Sequence, residues 1–91
     1  MTQEIFISYT REDQGIVRDL AADLSSIGAN AWYDSALIGG QRWWDQILTK
    51  IRDCDVFLFA ISGAALASTA CTLELQYAVA CGKVILPVLV R

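Results

Sequence analysis

Residues Val56-Phe57-Leu58-Phe59-Ala60-Ile61 form an unbroken apolar run with no polar position in it. A strand that faces water on one side alternates polar with apolar residues; a strand covered on both sides does not. This run therefore demands helices above and below it. That requirement points to a parallel sheet inside an α/β fold.

The rest of the chain supplies the parts. Glu4-Ile5-Phe6-Ile7-Ser8-Tyr9 is rich in β-branched and aromatic residues and reads as a short strand. Thr10 follows as a helix N-cap, with Asp13 as a weaker capping-box acid. Ile16, Leu20, Leu24 and Ile27 then fall on one helical face, with Val17 and Ala21 beside them. Gly28 is placed to end that helix. Asn30-Ala31-Trp32-Tyr33 reads as a second strand. Asp34 to Arg42 contains Gly39-Gly40, has no periodicity and reads as a loop. Trp44, Ile47, Leu48 and Ile51 share the apolar face of a second helix, with Asp45, Lys50 and Arg52 elsewhere. Asp55 leads into the central run.

Ser62 to Ala70 is small and Ser/Ala-rich, a loop with room for a helical turn. Thr72 to Cys81 is expected as a helix with Leu73, Tyr77 and Ala80 on one face, stopped by Gly82. Val84 to Val90 is a last strand. Pro87 cannot donate to a ladder, which puts it on an edge or at a strand end. An open strand this apolar is prone to associate. The expectation is that more chain follows or that a partner covers it.

The order β-α-β-α-β-α-β has no internal repeat and no linker, and 91 residues suit one small domain. Ligands of such sheets bind outside the carboxyl ends of the strands. Here those ends are Ser8-Tyr9-Thr10, Tyr33-Asp34-Ser35 and Ile61-Ser62-Gly63, rich in hydroxyls.

Composition narrows the chemistry. Net charge is −3, which argues against a phosphate-binding footprint for nucleic acid. No apolar stretch is long enough for a membrane span, and the start carries no basic leader region. There is no histidine, so Ser-His-Asp and Cys-His nucleophiles are excluded. Three cysteines without a CxxC pair suit a reducing, cytoplasmic setting and make a zinc site improbable; no metal is expected. Gly39-Gly40 is neither GxGxxG nor a Walker loop. Carboxylates, hydroxyls and cations remain.

Several segments resemble the TIR (Toll/interleukin receptor) family. Phe6-Ile7-Ser8-Tyr9 is similar to its first-strand box. Trp32-Tyr33-Asp34 with Leu37-Ile38-Gly39-Gly40 resembles the second strand and the BB loop. Asp55 with the run ending Ile61-Ser62 resembles the third strand. Ser68-Thr69-Ala70-Cys71-Thr72-Leu73-Glu74-Leu75 resembles the family's Ser-x-Trp-Cys-x-x-Glu-Leu stretch, and Gly82 to Val88 its fourth strand. The resemblance covers essentially the whole chain. It implies a flavodoxin-like parallel sheet with helices on both faces and strand order B-A-C-D. It also implies one TIR-like domain over residues 1–91 that lacks the family's fifth strand and last helix.

The resemblance further implies an NAD-cleaving site with NAD as substrate and no separate cofactor. Glu74 would be the catalytic carboxylate, set against the alternative of a first-turn acid favoured by the helix dipole. Tyr9, Thr10, Leu37, Trp43 and Cys71 would line the pocket. Trp43 could stack on a nicotinamide or adenine ring. Arg11 is a phosphate contact or an exposed arginine, and Asp34 a ribose contact or a turn-capping acid. Cys71 is a helix-start thiol of lowered pKa or a packing residue. Cys54 and Cys81 read as small core residues. The family's aromatic four positions before the glutamate is Ala70 here; Trp43 or a neighbouring subunit is its candidate replacement.

Three functions stay open: an assembly-activated NAD glycohydrolase in signalling or defence, with or without cyclisation; a non-enzymatic module joining TIR domains; and a nucleoside deoxyribosyltransferase-like enzyme. The expected partners are NAD and other TIR domains, reached through the Asp34–Arg42 loop. A sensor domain is expected after this segment.

Overall fold

The computed structural model describes residues 2–33 and 41–91, with only the backbone of residues 41–43. The expected loop from Asp34 lies largely outside the described residues, Leu37 included. Its last two positions differ from expectation, because helix α2 (Gln41–Asp53) already includes Gln41 and Arg42.

Four strands, β1 (Glu4–Ser8), β2 (Asn30–Trp32), β3 (Val56–Ile61) and β4 (Val84–Leu89), form one parallel sheet in the order β2-β1-β3-β4. This is the expected B-A-C-D order. Strand β3 is buried along its centre, as its apolar run requires. Asp55 locks its entry: the Asp55 carboxylate accepts the Glu4 N–H at 2.8 Å and its own N–H donates to the Glu4 carbonyl at 2.8 Å. Pro87 sits in β4 at the sheet edge, where its missing N–H costs no ladder bond.

The strand period of two divides the core. Phe6, Phe57 and Phe59 face one layer with Ile47 and Ile51 of α2 and Cys71 and Ala78 of α4 (Thr69–Ala80). Ile5, Ile7, Leu58 and Ala60 face the other layer with Val17 and Ala21 of α1 (Gln14–Ser26). Helices thus cover both faces. Among the described residues no helix is long and apolar enough to cross a membrane.

Two helical faces differ from expectation. In α1 the core stripe is Val17, Leu20, Ala21 and Leu24, an i, i+3, i+4, i+7 set. Ile16 and Ile27 fall on its flank and are 40% and 79% exposed. In α4 the inward stripe is Cys71, Glu74, Leu75 and Ala78, whereas Leu73 and Ala80 face water. That helix also starts earlier than expected, at Thr69 rather than Thr72. Ser68 is its N-cap and accepts the Cys71 N–H at 3.2 Å. Between β3 and α4 lies a short helix, α3 (Gly63–Leu66), capped by Ser62. Gly28 and Gly82 end α1 and α4 at φ 92° and 73°, a left-handed conformation that disfavours a Cβ.

These faces predict a contrast in stability. Replacing fully buried Ile51 by Ala should cost about 2–5 kcal/mol. Ile27→Ala, on the exposed flank of α1, should cost less than about 0.5 kcal/mol. Urea unfolding of the two variants measures this; equal losses would mean that α1 turns its other face to the sheet.

Candidate active site

The carboxyl ends of β1 and β3 carry an unusual load of buried polar groups. Ser8 closes β1 on the face that α2 and α4 cover, two positions beyond Phe6. Glu74 comes down on it from α4. Its side chain is 7% exposed, and the Ser8 hydroxyl donates to its Oε1 at 2.7 Å. The geometry suits an O–H bonded to a carboxylate oxygen. Because α4 starts at Thr69, Glu74 lies beyond the first turn, and that turn holds no acid. The expectation of a first-turn acid favoured by the helix dipole is therefore corrected.

Cys71 sits one turn before Glu74 and is 2% exposed. Burial pushes its thiol above the ordinary value, outweighing hydrogen bonds with Ser68 and Ser8; the Glu74 charge adds to the rise. The lowered pKa expected of a thiol at a helix start is not found. Cys54 is buried and likewise raised, first by burial. Cys81, expected in the core, is exposed, because it caps the end of α4.

A second buried carboxylate stands beside the first. Asp13 ends a 3-10 turn (Arg11–Asp13) between β1 and α1 and is fully buried. The capping-box expectation fails here: Thr10 makes no side-chain cap bond to the backbone. Its Oγ1 donates instead to Asp13 Oδ2 at 3.0 Å. The Ser62 hydroxyl donates to the same oxygen, and Arg91 Nε donates to Oδ1 at 2.9 Å. These donors, Ser62 foremost, hold the Asp13 carboxyl below its ordinary value of 3.8 against the opposing effect of burial.

Of the expected site residues, the structure brings Glu74 and Cys71 together on α4, with Thr10 at the adjoining strand end. Tyr9 is half-buried toward the α1 layer, where its ring meets Tyr33 edge-on at 6.0 Å. It faces away from the side that holds Glu74. Arg11 is exposed. Asp34 and Leu37 lie outside the described residues, and so does the side chain of Trp43. Ser8 and Ser62 were legible as strand-end hydroxyls and Asp13 as a capping-box acid; the bonds of Ser8 to Glu74 and of Ser62 to Asp13 were not.

A cavity of about 310 Å³ opens at the opposite end of the strands, bordered by Glu4, Phe6, Asn30, Trp32, Lys50 and Asp53. Trp32 stacks on Phe6 there, with its ring centre 5.2 Å away, and Lys50 Nζ lies 5.9 Å from the Trp32 ring centre. Glu4 and Asn30 open their strands. The cavity therefore sits at the amino ends, away from where such sheets bind ligands.

The sheet order and the two helical layers define a flavodoxin-like α/β domain. The chain belongs to the TIR domain family, whose sequence model matches residues 5–91. No curated protein sequence matches it. Among solved structures it is similar to the TIR domain of the Toll-related receptor TRR-2 from Hydra magnipapillata. The TM-score is 0.81 at 20% identity, over 96% of this chain and 70% of that one. It is also similar to the CMP N-glycosidase BcmB from Clostridium botulinum. There the TM-score is 0.77 at 23% identity, over 96% of this chain and 69% of the other. At these identities the likeness is one of fold.

The Asp13 cluster gives a pH prediction. A carboxyl whose folded pKa is depressed stabilises the fold above its unfolded value and loses that contribution as pH falls. Stability should therefore drop as pH goes below about 4. Asp13→Asn should flatten this part of the curve. The measurement is urea unfolding between neutral and acid pH; the same acid slope in both proteins would contradict it.

Proposed function

We propose that the chain is a TIR-domain NAD glycohydrolase, an assembly-activated effector in signalling or defence. The observation that carries the reading is Glu74, buried at the carboxyl end of the sheet with Ser8 donating to its Oε1 at 2.7 Å. Membership of the TIR family supports it. The likeness to an enzyme described as a CMP N-glycosidase adds support, since that name denotes cleavage of a base–sugar bond.

The chemistry follows from charge. Nicotinamide in NAD is a cation and leaves as a neutral base. The C1′–N bond breaks with its electron pair going to the nicotinamide nitrogen. The ribose then takes on oxocarbenium character. A carboxylate beside C1′ stabilises that charge, and it can accept bonds from the ribose hydroxyls. Water adds at C1′ and releases a proton, giving ADP-ribose. Attack by an adenine nitrogen instead gives a cyclic product. Thr10 would contact the substrate at the strand end and Cys71 would pack the floor. Arg11, Asp34, Leu37 and Trp43 complete the proposed binding set, with Trp43 taking the stacking role that Ala70 cannot fill. Tyr9 belongs to this set only as a neighbour of Thr10, since its ring packs toward the other layer.

A second reading is a module that associates with other TIR domains without catalysis. The observation favouring it is the apolar edge strand β4, where Val84, Leu86 and Leu89 are 63%, 45% and 75% exposed. Contacts through the Asp34–Arg42 loop would fit either reading.

The two separate in one assay. Concentrated protein incubated with NAD should release nicotinamide, and Glu74→Ala should reduce the rate by about a hundredfold or more. No release by the wild type, or equal release by the variant, would leave the association module as the function.

A further inference from the structure

Hydrogen bonds joined by short stretches of backbone link Glu74 to Asp13 by two routes. On one arm, the Thr10 hydroxyl donates to Asp13 Oδ2 at 3.0 Å, and the Asp13 N–H donates to the Thr10 carbonyl at 2.9 Å. This pins the backbone two residues after Ser8, whose hydroxyl holds Glu74. On the other arm, the Ser62 hydroxyl donates to Asp13 and accepts the Ala65 N–H at 3.0 Å. The Ser68 N–H donates to the Ala65 carbonyl at 3.1 Å, and the Ser68 hydroxyl accepts the Cys71 N–H at 3.2 Å. Glu74 stands one helical turn further along α4. Arg91, just past β4, clamps the other oxygen of Asp13 from outside.

We infer that Asp13 is a positioning residue for Glu74, acting through Thr10 and Ser8 on one side and through Ser62, Ser68 and the start of α4 on the other. The inference rests on the NAD-cleaving reading of Glu74. Helix α3 is a single turn; Ala65 packs it into the core, and the Ser62 hydroxyl fixes its start by accepting the Ala65 N–H. A carboxylate suits the hub because it accepts several donors and offers none. Here three donors converge on its two oxygens. An asparagine of the same shape would turn an N–H toward one of these donors, whichever way its amide lay. The structure would then relax around it. Displacing a catalytic group by about 1 Å costs up to about a hundredfold in rate. Asp13 itself is fully buried, so it acts through its neighbours.

The test pairs kinetics with a measurement that needs no substrate. In Asp13→Asn, kcat for nicotinamide release should fall between about tenfold and a hundredfold, with KM little changed. Amide exchange at Ala65 and Cys71 should quicken in the same variant without NAD. If that variant does not fold, Ser62→Ala takes its place, with Ser62→Thr expected to restore the rate. A folded Asp13→Asn or Ser62→Ala protein with wild-type kcat overturns the inference. If the wild type itself releases no nicotinamide, the NAD reading fails. The exchange data then decide alone: unchanged protection at Ala65 and Cys71 overturns the linkage, and faster exchange upholds it.

Discussion

A carboxylate taken out of water must find donors, and in this chain that need shapes the top of the sheet. Glu74 is drawn onto Ser8, and Asp13 onto Thr10, Ser62 and Arg91. An unpaired buried charge would cost several kcal/mol, a large share of the stability of a small domain. The two acids therefore fix how the ends of β1, β3 and β4 sit against α4. The apolar layers below give the sheet its place; the acids give its carboxyl edge a definite shape.

That edge is where chemistry is available. There is no histidine, and burial raises Cys54 and Cys71 and so blunts them as nucleophiles. A carboxylate over a strand end remains, and it suits a reaction that builds positive charge on a sugar. The cavity beside Trp32 and Lys50 lies at the amino ends of the strands. Fold rules and chemistry agree on the other end.

Much of the fold was legible in the sequence, because its signals are local. The unbroken run at Val56–Ile61 meant a covered parallel strand. Gly28 and Gly82 marked helix ends, and the stripe from Trp44 to Ile51 marked the inner face of α2. What misled was also local. Thr10 and Asp13 have capping-box spacing, yet the decisive partners of Asp13 are 49 and 78 residues away. Isoleucines at 16 and 27 keep helical spacing but fall on the flank of the stripe. The first turn of α4, Thr69-Ala70-Cys71, is small and uniform, so its start at Thr69 left no apolar pattern. Glu74 could be singled out through its resemblance to a family motif. Its bond to Ser8, 66 residues away, could not.

The central claim is that the substrate meets the protein at the Ser8–Glu74 end of the sheet. Titrating NAD into isotope-labelled Glu74→Gln protein and following backbone amide resonances measures this directly. The account predicts saturable shifts centred on Ser8, Thr10, Cys71 and residue 74, with residues at the amino ends of the strands unmoved. Shifts centred on Asn30, Trp32 and Lys50, or none at millimolar NAD, would contradict it.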